Sequence, residues 1–136
     1  MAETASGFAP LRNQSVAVRG GVAILVAAVT NALLVVVADA VGVAPNLESI
    51  AMTNVVGLSV IGAVGATAVY AALGRYADDP ERAFLRAAAA VLVLSFAPDL
   101  GLLMSDPAAT VAGVVLLMIM HVVVAVASIG SLVYAR

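Results

Sequence analysis

The chain has 136 residues, 64% of them hydrophobic and only 10% charged, with a mean hydropathy of +1.16 and a formal net charge of −2. Soluble domains carry about 25% charged residues, so there are too few charges to cover a water-facing surface, and lipid is the natural solvent for most of the chain. The six basic residues are scattered arginines without a basic patch, which argues against nucleic acid as a partner. The lack of cysteine excludes disulfides, thiol chemistry and thiolate-bound metals, and implies nothing about compartment.

Residues 1–19 are small and polar and read as a cytoplasmic N-terminal tail. Residues 20–136 read as one transmembrane domain with four apolar spans, at about residues 20–41, 50–74, 84–103 and 108–134. At about 1.5 Å per helical residue each can cross a hydrocarbon core of roughly 30 Å. The first span competes with a cleaved signal peptide, because Arg12 and Arg19 precede it and Ala38-Asp39-Ala40 resembles a small-x-small cleavage site. The apolar stretch is longer than the usual h-region of about 7–15 residues, which favours an uncleaved helix. Gly42, Pro45 and Asn46 mark the first turn.

The second span is rich in small residues. Gly57, Gly65, Ala68 and Ala72 share one helical face with Ile61, a surface that allows close approach of another helix. Internal packing is the first expectation for that face and a homodimer seam the second. The following loop, residues 75–86, holds most of the charge, and Asp79-Pro80-Glu81 reads as a helix start, with Asp79 as N-cap and Pro80 in the first turn. Pro98 in the third span is expected to kink that helix or to mark its last turn. The fourth span is the most continuous apolar run, interrupted near its middle by His121.

Four spans put both termini and the 75–86 loop on one side, so all six arginines (12, 19, 75, 82, 86 and 136) share one face, while the other loops carry Glu48 and Asp106. The positive-inside rule makes the arginine face cytoplasmic. The expectation is therefore an all-α four-transmembrane antiparallel helix bundle in the plasma membrane, with both termini cytoplasmic.

Polar residues inside spans are costly and often functional. The set here is Asn31, Asp39, Asn54, Ser95, Asp99 and His121. Counting from the inner ends, Asn31 lies about twelve residues above Arg19 and His121 about thirteen above Tyr134, so at about 1.5 Å per residue both fall near the midplane. Asp39, Asn54 and Asp99 fall in the outer third. Two polar layers follow, with no direct contact expected between His121 and Asp99. His121 is either a structural hydrogen-bonding group in the core or a titrating residue in a hydrated cavity. A lone His with two distant acids makes a poor metal cage, and neither metal nor cofactor is expected.

The Pro98-Asp99 pair at the end of the third span and the Met120-His121 pair followed by Val and Ala residues in the fourth resemble a family of small, functionally uncharacterised four-helix membrane proteins of actinobacteria and halophilic archaea. The resemblance covers most of the chain. It implies a four-helix integral membrane fold and carries no catalytic residue across.

Three functions of different class remain. A non-enzymatic structural or interaction subunit of a membrane assembly, in contact with the bilayer and with further copies or a larger membrane partner, explains the short loops and small-residue faces. A small oligomeric transporter or channel would use a polar path through His121, Asn31 and Asp99. An enzyme is the least expected, since HExxH, a phosphate-binding Gly loop and a nucleophile-base spacing are all missing.

Overall fold

The computed structural model describes residues 15–134, so Arg12, Arg136 and most of the expected tail lie outside the described residues. Within them there are four helices long and apolar enough to cross a membrane, and no strand. They are α1 (Val16–Val41), α2 (Met52–Tyr76), α3 (Pro80–Ser105) and α4 (Val111–Ile129), the last continued as a π-helix over Gly130–Tyr134. Large apolar residues such as Leu25, Leu33, Leu58, Val91 and Leu94 face outward, while Asn31, Ser59, Asp99 and Ser128 are buried. Polar inside and apolar outside is the arrangement lipid demands.

Local chemistry closes several helix ends. Ser15 Oγ accepts from the Val18 N–H at 3.2 Å, so α1 starts four residues before the expected Gly20 and draws Arg19 into its first turn. Its other end is a Schellman turn. Gly42, at φ +72°, donates to the Asp39 carbonyl, and Val43 donates to that of Ala38. A short 3₁₀ turn, Glu48–Ile50, leads into α2, and Asn54 Nδ2 donates to the Glu48 carbonyl at 2.8 Å to hold it there. Asp79 caps α3 as expected, accepting from the Arg82 N–H at 3.2 Å, with Pro80 in the first turn. Thr110 caps α4 through Gly113 N–H at 3.1 Å.

Pro98 does not end α3. The helix runs on to Ser105; lacking an N–H, Pro98 only leaves the Leu94 carbonyl without its helical donor.

The close-packed seam belongs to α1, which lies against α2 and α4. Its buried residues are Gly20, Ala23, Ala27, Asn31, Val35 and Ala38, three or four apart. Small side chains at that spacing bring backbones close. At Gly20 a Cβ would fall 2.6 Å from Thr67 Oγ1, whose own hydroxyl is tied to the Ala63 carbonyl. α3 packs on α2 and α4 and is the least covered helix, with Phe84 and Asp99 its buried residues.

The expected internal packing of the α2 small-residue face must be corrected. Gly57, Gly65, Ala68 and Ala72 are all exposed on the outside of the packed helices, and α2 turns Val55, Ser59 and Ala63 inward instead. The inward residues follow the level of the α1 seam, where Ser59 finds Asn31, and a polar partner outweighs a merely small surface.

Two apolar clusters bracket the polar middle. Near the α1–α2 turn, Val35, Ala38, Ala44, Leu47, Ile50, Val55, Leu117 and Met120 pack together. Toward the opposite ends, Phe84, Leu132 and Val133 pack with Tyr70, Leu73 and Ile129. There the Phe84 ring meets Tyr70 edge-on at 5.2 Å, Arg19 lies over the Tyr70 ring at 5.5 Å, and Arg19 Nη1 donates to the Leu132 carbonyl at 2.6 Å. Arg19 thus caps carbonyl groups at the end of the last helix, where a cation is favoured.

Gly113 is the tightest contact of the first cluster. An added Cβ would sit 2.7 Å from the Ala44 Cβ and 3.3 Å from Leu47 Cδ2, and Ala44 is itself held at φ +42°. We expect Gly113→Ala to destabilise the protein by about 1–3 kcal/mol through overpacking, read as a lower midpoint in detergent unfolding. Gly65→Ala, with open space around it, should leave the midpoint unchanged or raise it.

Candidate functional site: a polar-floored cleft between α2, α3 and α4

A cleft of about 430 Å³ lies between α2, α3 and α4, with Asn31 of α1 at its floor. Its rim is apolar and open, formed by exposed Leu58, Ile61 and Val91. Polar groups line it deeper in, among them Ser59, Ser95, His121 and Ser128. α2 and α3 are joined by a three-residue turn at 77–79. The small α2 residues Gly62 and Gly65 and the α3 alanines 87 and 88 leave the gap unfilled.

Asn31 is 1% exposed and makes two hydrogen bonds through Nδ2, to Ser59 Oγ at 2.8 Å and to the Met120 carbonyl at 3.2 Å. The directions are forced. The Ser59 hydroxyl proton is committed to the Val55 carbonyl at 2.6 Å, so Ser59 accepts from Asn31. A carbonyl at Met120 likewise needs a donor. Asn31 Oδ1 is left as an acceptor with no hydrogen-bond partner, and so is the hydroxyl of Ser128, which is 2% exposed. Both residues line the cleft.

His121 and Asp99 meet across α4 and α3. Nδ1 of the ring lies 2.8 Å from Asp99 Oδ2. The two atoms are in ion-pair range but do not align as a hydrogen bond, and each is buried with no other partner. The side chain of Asp99 is 9% exposed and that of His121 39%. Asp99 therefore stands behind the ring, while His121 faces the cleft.

This overturns the expected separation of His121 from Asp99. Asp99 stands six residues inside the outer end of α3 at Ser105, and the two side chains bridge the difference in level between the helices. Asn31 stands level with His121 as expected, but its partners are Ser59 and the Met120 carbonyl rather than the imidazole. Asp39 and Asn54 are not part of the site. Both are exposed, Asp39 beside a small crevice formed by the first turn and Asn54 on the Glu48 carbonyl. Ser59 and Ser128 escaped the sequence reading. Ser59 had a legible signal, since it stands four residues from both Val55 and Ala63 on one face of α2. Ser128 had none beyond its place in an apolar run. Among the described residues no group of three or more His, Cys, Asp or Glu side chains converges on a point where a metal ion would sit.

Residues 11–135 match the model of a family described as a family of unknown function, DUF6069. The chain belongs to that family. The DUF6069 match takes in all four helices and every residue that lines the cleft. No curated protein matches the chain, and no solved structure does.

Proposed function

We propose that this DUF6069 protein is a non-enzymatic interaction subunit of the plasma membrane that receives an apolar occupant from the lipid phase in the cleft between α2, α3 and α4. The observation that carries this reading is the combination of an open apolar rim, formed by Leu58, Ile61 and Val91, with polar groups at the floor. Small-molecule sites are mostly apolar clefts of roughly 300–1,000 Å³ with a few polar groups that orient the ligand. The exposed Gly57, Gly65, Ala68 and Ala72 face adjoins the cleft and gives a second copy or a partner helix a surface for close approach.

The helices cross the bilayer as an antiparallel bundle in this reading. Arg19 at the start of α1 reaches Leu132 in the π-helix that ends the last span, and Gly20 meets Thr67 in the second half of α2. The arginine-bearing ends then share the cytoplasmic side with both termini. The native chain has no cysteine, so single replacements report topology cleanly. Asp78→Cys is expected to react with a membrane-impermeant maleimide only after the cytoplasmic face is opened, and Ser49→Cys from outside in intact cells; the reverse pattern refutes the orientation.

For the cleft, the test is photolabelling in nanodiscs with an alkyl chain carrying a diazirine. Labels should concentrate on the α3 and α4 residues that line the cleft, and Ala88→Phe should abolish that concentration. Uniform labelling of all outward faces in both proteins refutes the reading.

A second reading, proton-linked transport, draws on a different observation, the His121–Asp99 contact at 2.8 Å beside the cleft. It requires proton flux in liposomes that Asp99→Asn removes.

A further inference from the structure

We propose that the occupant of the cleft is a single-chain, lipid-phase amphiphile with a hydroxyl or similar hydrogen-bond donor, received by His121 Nε2 with Asp99 fixing the ring. This deepens the reading of the cleft as a binding site and rests on it.

Size suits a small molecule. The cleft's volume of about 430 Å³ lies within the range of small-molecule sites, roughly 300–1,000 Å³, while the neighbouring small-residue face offers a partner's helix the closer approach. Depth selects the lipid phase. Asn31 and His121 lie near the middle of their spans, beyond the reach of a phospholipid headgroup held at the interface.

Hydrogen-bond chemistry selects the donor. Asp99 Oδ2 lies 2.8 Å from Nδ1 with no other partner, and of the two neutral ring tautomers the one protonated on Nδ1 turns a donor toward that acceptor oxygen. The opposite nitrogen, Nε2, then carries a lone pair. Nε2 has no partner among the described residues, and the ring lines the cleft. Asn31 Oδ1 is likewise an acceptor without a donor, because both Nδ2 protons are already committed. An acceptor such as Nε2 at this depth of an apolar cleft matches an alcohol, a phenol or an amide N–H, and disfavours an ether or ester of the same length. Ser128 Oγ, seven residues along α4 from His121 and so about 10 Å away along the helix, lies unpartnered on the same floor.

The test uses the full chain in nanodiscs with the alkyl diazirine as probe, and competes it with hexadecanol or with hexadecyl methyl ether. The alcohol is expected to displace the probe at about fivefold lower concentration than the ether, which converts to about 1 kcal/mol, the net worth of one neutral hydrogen bond. In Asp99→Asn the amide can donate to Nδ1 as readily as accept from it. The ring proton is no longer fixed, and the ratio should fall toward one while labelling persists. A residue that merely supports the fold would alter labelling without altering that ratio. Equal competition by alcohol and ether in the native protein, or a ratio unchanged in Asp99→Asn, overturns the proposal yet leaves the cleft as a binding site. Labelling that ignores Ala88→Phe defeats the underlying reading instead. Should Ala88→Phe fail to fold, Ala125→Leu narrows the cleft from α4 and serves the same purpose.

Discussion

Asn31→Asp is expected to cost the protein about 3 kcal/mol or more. Asn31 is 1% exposed and uses Nδ2 to serve two acceptors, Ser59 Oγ and the Met120 carbonyl. A carboxylate there removes both donors and directs charge at a carbonyl. A charge at the centre of a span costs about 2.5–3.5 kcal/mol on insertion scales alone. Protonation does not rescue the site, since a carboxylic acid brings one donor to two acceptors. Asn31→Ala, which removes the bonds without adding charge, should cost less, about 1–2 kcal/mol, because interhelical hydrogen bonds in membranes average about 0.6 kcal/mol. Asn54→Asp is the contrast. Asn54 is exposed and only ties a turn to α2, so its loss is expected to stay below about 1 kcal/mol. Unfolding in mixed micelles, compared across the three variants, measures the order; Asn31→Asp no worse than Asn54→Asp contradicts it.

His121 and Asp99 are expected to behave as one unit in a double-mutant cycle. His121→Phe leaves the buried Asp99 carboxyl without its contact, and a buried polar group left unpaired costs about 1–3 kcal/mol. Asp99→Leu leaves the half-exposed ring able to turn toward the cleft, so its cost should be smaller, about 1–2 kcal/mol. The double variant should recover most of the loss, because an apolar pair of similar volume replaces two groups that needed each other. Additive single losses would mean that the two residues do not act together.

These two expectations locate what was legible in the sequence. The number and places of the helices followed from uninterrupted apolar runs, and Asp79 with Pro80 marked the start of α3 because capping chemistry is local. Asn31, Asp99 and His121 could be picked out because polar residues are rare inside spans. Their partners could not. A bond such as Asn31 to the Met120 carbonyl links residues 89 positions apart, and no pattern within one helix records it. Counting depth also failed to foresee the contact of Asp99 with His121, because residue counts give the level of a Cα and not the reach or direction of its side chain.

The small-residue face shows a related failure. Gly57, Gly65, Ala68 and Ala72 and the α1 set Gly20, Ala23, Ala27 and Ala38 have the same helical spacing. Spacing says that a face permits close approach, but not which helix takes it up. α1 won the inner position because its stripe also carries Asn31, which finds Ser59 on α2 and a carbonyl on α4. The cleft itself follows from absence of bulk at Gly62, Gly65, Ala87 and Ala88, residues on two helices whose facing could be read only once α3 was placed.

Native mass spectrometry of the protein released from nanodiscs made with a cellular lipid extract tests the central claim most directly. The account predicts a bound lipid-phase species of small mass on the native chain, retained at collision energies that strip loosely attached phospholipid, and lost from a folded Ala88→Phe variant. The same adducts on both proteins, released together at the same energy, would contradict it.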